Sequence, residues 1–216
     1  MQTIGSDNRI VSVAAFVDWN AQLLLTRRDT DADPESVAEL AFRQTTRRIA
    51  RCLDDLDSRK RFRVNIRLYH GWHRGYEPTA NRKAVKVVVG RADFATLSQR
   101  PNVVFSPNVG FGDRLINALE RRLHTRLAIH LPNTLRKRYG ETLEEKMVDT
   151  ALAADVVATA HRDSNDWIVV VTEDDDLIPS VFVAEAALLG SGAKVVLLRK
   201  RVQASMMMLD DLLVNG

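Results

Sequence analysis

Val169–Pro179 reads VVVTEDDDLIP. A β-branched run, Ile168 to Val171, stops at Thr172-Glu173-Asp174-Asp175-Asp176, and Leu177-Ile178 resume an apolar pattern. This pattern is that of a buried strand that delivers four carboxylates at its C-terminal end, where a helix begins. In an open α/β sheet that edge is where ligands bind. Like charges packed so closely raise one another's pKa unless something positive lies among them. Ile10–Val17, IVSVAAFV, is a second run of the same kind, and it ends in Asp18-Trp19-Asn20. Near-continuous apolar runs suit central strands of a parallel sheet, buried on both faces.

Between and beyond these strands the chain alternates. Asp33-Pro34 opens a helix to about Asp57, with Asp33 as the cap and Pro34 in the first helical position. Its buried stripe is Val37, Leu40, Ala41, Thr45, Ile49, Cys52, Leu53 and Leu56. Arg63–Tyr69 alternates and reads as a strand. Strands are expected at 85–89 and 103–105, a helix from Asp113 to about Thr125, and a short strand at 127–131. Thr142-Leu143-Glu144-Glu145 resembles a capping box, so a helix is expected from Thr142 to about Arg162. A helix over 178–189, a strand over 194–198 and a C-terminal helix or arm over 204–213 complete the pattern. Alternating strands and helices predict a three-layer α/β/α sandwich with a mostly parallel central sheet. The expected domain spans residues 10–200, between a flexible stretch, 1–9, and an arm, 201–216.

Composition sets outer bounds. The chain has 216 residues, 45% hydrophobic and 27% charged, enough for one substantial core. Apolar runs are too short to cross a membrane. The first residues lack the zones of a secretory signal, which predicts a cytoplasmic protein without a membrane partner. Cys52 is the single cysteine, so no internal disulfide is possible. Net charge is +3, but arginines concentrate in 43–74 and 121–138. Basic patches beside an acidic site suit a polyanionic substrate.

Asp18 ends one strand, and Asp174 and Asp176 end another. Asp149 lies near the start of the helix that precedes the second strand, and reaches the same edge. Asp155, six residues on and about 9 Å further along the axis, suits a supporting position. Such a carboxylate set without a His/Cys cage is chemistry for Mg²⁺ or Mn²⁺, completed by substrate phosphates.

Three stretches together resemble the NYN domain family, a branch of the PIN-like nucleases. They are Asp18-Trp19-Asn20 after an apolar strand, Glu145-Lys146-Met147-Val148-Asp149 continuing to Leu152 and Asp155, and Thr172-Glu173-Asp174-Asp175-Asp176-Leu177-Ile178-Pro179. The family pattern reads roughly apolar-Asp-x-x-Asn, Lys-Gly-Val-Asp-x-x-Leu-x-x-Asp and Ser-Gly-Asp-Ser-Asp-Phe-x-Pro. Here Ala21 stands where the asparagine is usual, and Met147 and Glu173 stand where glycines are common. The resemblance implies a PIN-like fold and a metal-dependent ribonuclease. It implies Asp18, Asp149, Asp174 and Asp176 as catalytic metal ligands, Asn20 and Thr172 as orienting groups, and Asp155 as support. Arg27 and Arg28, after the first stretch, and Trp72, His73 and Arg74, after the 63–69 strand, are then the expected RNA contacts, with Trp72 stacking an unpaired base.

The expected function is a Mg²⁺- or Mn²⁺-dependent endoribonuclease on single-stranded or structured RNA, with a homo-oligomer or protein partner possible. The alternative is an inactive RNA-binding or protein-assembly module on the same fold. A phosphatase that uses two strand-end aspartates one residue apart is disfavoured, because Asn20 occupies the second place. A dinucleotide enzyme is disfavoured because no glycine-rich phosphate loop follows the first strand.

Overall fold

The structure, a computed structural model, describes residues 9–26, 33–138, 142–163 and 165–200, and the backbone of Met206–Met207. β1 (Ile10–Asp18) runs directly into α1 (Trp19–Thr26), and α2 (Pro34–Leu56) leads to β2 (Arg61–Tyr69). The short β3 (His73–Arg74) and β4 (Glu77–Pro78) pair with each other before α3 (Ala80–Arg91). β5 (Val103–Phe105) and β6 (Gly110–Phe111) follow, then a hairpin of β7 (Leu135–Lys137) and β8 (Leu143–Glu145). The chain continues through α4 (Val148–Arg162), β9 (Trp167–Val171), α5 (Ile178–Leu188), β10 (Val195–Leu198) and β11 (Met206–Met207).

The main sheet has the order β11-β10-β9-β1-β2-β5, with β6 also pairing to β2. Every pairing in it is parallel except β10 with β11. Register with β2 is fixed along all of β1, from Ile10 opposite Arg61 to Asp18 opposite Tyr69. Period-two alternation sorts the side chains into two cores. Val13, Val17, Val64, Leu68, Val169 and Val171 join Phe42, Ile49 and Leu53 of α2 and Val85 of α3. On the other face Phe16, Ile168, Val170 and Leu197 pack with Leu152 and Val156 of α4 and Val181 and Ala184 of α5. The result is the expected three-layer α/β/α sandwich around a mostly parallel sheet. Among the described residues no helix is long and apolar enough to cross a membrane.

Local chemistry explains the element starts. The Asp33 side chain accepts from Ser36 N at 3.0 Å, and Pro34 takes the first position of α2, as the sequence indicates. Several expectations are corrected. Residues 85–89 lie inside α3, because Thr79 caps that helix through Arg82 N and Val85, Val88 and Val89 recur at helical spacing towards the core. Residues 113–125 form no α-helix; a single 3₁₀ turn covers Glu120–Arg122. Residues 127–131 contribute an isolated bridge, Ile129 to His124, in place of a strand. α4 begins at Val148, six residues later than expected, since 143–145 pair with β7. The expected C-terminal helix or arm falls largely outside the described residues, which show only β11 there.

Candidate functional site

β1 and β9 are adjacent, and their chain connections lead to opposite sides of the sheet: β1 is followed by β2 on one flank, β9 by β10 on the other. The crevice beyond their C-terminal ends is thus a topological switch point, the usual ligand position in an open α/β sheet. The carboxylates gather at that crevice.

Asp18 is the last residue of β1 and caps α1, its Oδ1 accepting from Ala21 N at 3.1 Å. Its Oδ2 accepts from Thr172 Oγ1 at 3.0 Å. Thr172, fully buried just past β9, in turn accepts from Asp174 N at 3.0 Å. One hydroxyl therefore ties the two strand ends together. Asp174 Oδ1 accepts from Asp176 N at 2.9 Å, which starts the tight turn over Asp175–Leu177 before α5. Asp149 occupies the first turn of α4, where a carboxylate meets the positive end of the helix dipole.

A further carboxylate joins the set from the β7–β8 hairpin, one that a helical reading of 142–162 concealed. Glu145 Oε1 accepts from Gly71 N at 2.5 Å and lies against His70 Nδ1. The Asn81 amide lies 2.6 Å from His70 Nε2, which orients the imidazole with Nδ1 facing Glu145.

The acids act on one another. Burial pushes the Asp18 carboxyl up to about 6, and the charges of Glu145 and Asp149 add to the rise against the hydrogen bonds from Ala21 and Thr172. Asp149 is open on its outer side, yet its carboxyl too is raised, first by loss of hydration and then by Asp174, Glu145 and Asp176. Nearby cations are engaged elsewhere. Arg199 binds Asp175 and the Glu173 carbonyl, both at 2.6 Å, and Lys146 binds Glu144 at 2.7 Å. Among the described residues no Lys or Arg pairs with Asp18, Asp149, Asp174 or Asp176. Glu173 is turned towards β10, its Oε1 accepting from Lys200 N at 2.7 Å.

The fit to a divalent cation divides into chemistry and geometry. Hard, mutually repelling oxygen donors are the right chemistry for Mg²⁺ or Mn²⁺. The described residues hold no three His, Cys, Asp or Glu side chains placed as a ready metal set. These carboxylates could therefore hold an ion only one or two at a time, with water or other oxygens completing its shell.

The other expected residues separate. Asn20 lies half-buried in α1 beside Asp18. Asp155 is buried away from the acidic crevice: Oδ2 accepts from Tyr69 Oη at 2.7 Å and Arg67 Nε at 3.1 Å, and Oδ1 from Ile116 N at 2.8 Å. It braces α4 against β2 and the 113–116 loop. The expectation of Trp72 as a stacking surface is corrected: its ring is fully buried, its Nε1 donates to Leu68 O, and His70, Phe111 and Arg82 pack around it. His73 is buried beside Asp113, which also pairs with Arg82 at 3.0 Å. Burial holds the His73 imidazole below its ordinary value. Arg74 is exposed. Arg27 and Arg28 lie outside the described residues. No family model, curated protein or solved structure matches the chain.

Proposed function

We infer that the protein is a divalent-cation-dependent phosphodiester hydrolase acting on RNA. One observation carries this reading: carboxylates from β1, β8, α4 and the β9–α5 turn meet at the sheet's switch point, and among the described residues no Lys or Arg pairs with Asp18, Asp149, Asp174 or Asp176. Uncompensated negative charge of this kind is costly to fold unless a cation completes it. The likeness of the Asp18, Asp149 and Asp174–Pro179 stretches to the NYN pattern supports the same reading, as does one detail of backbone. Met147, where that pattern has glycine, adopts φ +67°, a left-handed conformation suited to glycine.

In this reading Asp18, Asp149 and Asp174 would border a hydrated cation, Mg²⁺ or Mn²⁺, one or two of them binding it directly and the rest through water, with Asp176 and Glu145 at its margin. Such a cation neutralises phosphate charge and lowers the pKa of a water. The chain's own residues prepare the place. Thr172 and the Ala21 N–H fix both Asp18 oxygens, so the carboxylate need not reorganise on binding. Glu145 is anchored by Gly71 and His70, which sets the mouth of the crevice. Gly71 has little room to become larger, since a Cβ there would lie 3.1 Å from Glu145 Oε1.

The test is cleavage of a labelled single-stranded RNA with Mg²⁺, with Mn²⁺ and with chelator. The parent is expected to cleave only with metal, and Asp174→Asn to lose at least about a hundredfold in rate. Equal rates for parent and variant, or full activity in chelator, would refute the assignment. RNA binding that persists in chelator without cleavage in any metal would favour the binding-module alternative.

A further inference from the structure

β2 carries a second chemical message, on the face away from α2. Phe62, Val64, Ile66 and Leu68 point into the core, so Arg61, Arg63, Asn65 and Arg67 share the opposite face. On a strand covered from both sides these positions would be apolar. Here Arg61, Arg63 and Asn65 are exposed and only the C-terminal end of that face, Arg67 and Tyr69, is covered. The reason is topological. α4 packs on β1 and β9, and the segment between β5 and α4 contributes loops and a hairpin in place of a second helix.

The uncovered strip has a defined shape. Small residues lie beside it in register on β1, Ser12 opposite Arg63 and Ala14 opposite Asn65. They leave a trough between β2 and the C-terminal end of α4. The trough deepens into a cavity of about 760 Å³, floored by Ala14 and Phe16 and roofed by the 110–116 loop. Thr159 on the α4 wall is 2% exposed, and among the described residues its Oγ1 lacks a hydrogen-bond partner; so does Nη1 of the buried Arg82 at the loop end. Both atoms belong to cavity-lining residues and both have hydrogen bonds still to give.

Charge favours an anion along the strip. Arg61 and Arg63 have no carboxylate partner among the described residues, unlike Arg67 on Asp155 and Arg162 on Asp163. Of the acids of the far wall, Asp163 is paired with Arg162, while Asp166 accepts from the Ser12 hydroxyl and keeps its charge. Same-face residues of a strand recur about every 6.8 Å, a spacing close to that of successive phosphates on an extended nucleic-acid strand. Val104, 52% exposed on β5 opposite Arg63, adds apolar surface beside the arginines. Apolar surface interleaved with arginine suits unpaired bases better than a duplex, whose bases are stacked inside. The strand also points the right way: β2 runs from Arg61 to Tyr69, which lies opposite Asp18 at the acidic crevice.

We propose that the uncovered face of β2 and the cavity at its side are a docking track for single-stranded RNA, with phosphates on Arg61 and Arg63 and a nucleotide in the cavity. The track rests on the RNA-hydrolase reading for its occupant and extends it by fixing where the flank of the substrate lies.

The experiment measures anisotropy of a fluorescent oligouridylate against salt in the presence of chelator, so that binding is read without cleavage. Arg61→Glu/Arg63→Glu is expected to weaken binding about tenfold or more, and Arg61→Lys/Arg63→Lys to retain most of it. The salt slope of the Glu variant falls by about 1.4, or about 0.7 for each phosphate that is no longer neutralised. Both side chains are exposed, so the melting curve should match the parent's. Unchanged affinity and slope would overturn the proposal. So would polyglutamate displacing the RNA as well as unlabelled oligouridylate does, which would assign the track to an acidic protein. A parent that binds RNA through Arg61 and Arg63 but cleaves none would refute the hydrolase reading and leave the track standing. Metal-dependent cleavage with affinity indifferent to both arginines would do the reverse.

Discussion

Asp18 is the residue on which the acidic crevice exerts its clearest effect. Its carboxyl rises from 3.8 to about 6 on folding, so the folded chain takes up this proton before the unfolded chain does. The stability it contributes is fully present below about pH 4 and is lost as pH rises through about 6, up to about 3 kcal/mol. Urea unfolding between about pH 4 and about pH 8 should show that decline in the parent. Asp18→Asn, which keeps an acceptor for Ala21 N, should flatten it and exceed the parent's stability near pH 7 without metal. Added Mg²⁺ should then stabilise the parent at neutral pH and leave the Asn variant unmoved. A parent profile as flat as the variant's would contradict the account of the site.

Asp18 and Asp174 could be placed at the sheet edge because each follows an apolar strand run, whereas Asp149 was placed near a helix start that the capping-box pattern set at Thr142, six residues before α4 begins. Glu145 was hidden by its surroundings. Thr142-Leu143-Glu144-Glu145 satisfies a capping-box pattern, and nothing local reveals that Leu143–Glu145 pairs instead with Leu135–Lys137. Trp72 was misplaced for a related reason. It follows a strand end with a histidine and an arginine, as a surface aromatic would, but the turn at Gly71 sends it back into the core.

At the scale of elements, α4 shows how the chain serves two ends of one helix. Its N-terminus presents Asp149; its middle presents Asp155 to Arg67, Tyr69 and the 116 amide. Asp155→Ala leaves the mostly buried Arg67 without its carboxylate and should cost about 3–5 kcal/mol in urea unfolding. Under the proposed function, the metal dependence of RNA cleavage should be unchanged, since Asp155 lies off the crevice. The start of α4 stores strain at Met147. Met147→Gly should stabilise by about 1 kcal/mol, the left-handed penalty outweighing glycine's extra freedom in the unfolded chain. A destabilised glycine variant would mean that the Met147 side chain contributes more than its backbone costs.

Gly112 marks the opposite constraint. A Cβ there would lie 2.1 Å from the Tyr69 ring, so Gly112→Ala should destabilise by about 1–3 kcal/mol through displacement of the 110–116 loop. The long elements that alternate or keep helical spacing, β1, β2, α2, β9 and α5, were readable from the sequence. The region from 76 to 140 was not, because its order depends on distant partners. Asp113 accepts from His130 N and Leu131 N through its carbonyl and pairs with Arg82 through its side chain, which holds the loop open where local propensity favours a helix.

At the scale of the whole molecule, strand order decides what the residues can do. Placing β1 and β9 side by side while their connections diverge opens a crevice between their ends, and the carboxylates of the site reach it from four places: β1, β8, α4 and the β9–α5 turn. The same connectivity leaves half of β2 without a helix and so exposes its arginine row. The acidic crevice and the basic strip are thus two consequences of one topology. Manganese is the direct probe of the centre, since its anomalous scattering locates it without assumption. In crystals of the protein soaked with Mn²⁺ at neutral pH, an anomalous peak bounded by Asp18, Asp149 and Asp174 is the predicted result. A crevice without manganese in well-ordered crystals, with the carboxylates turned apart, would contradict it.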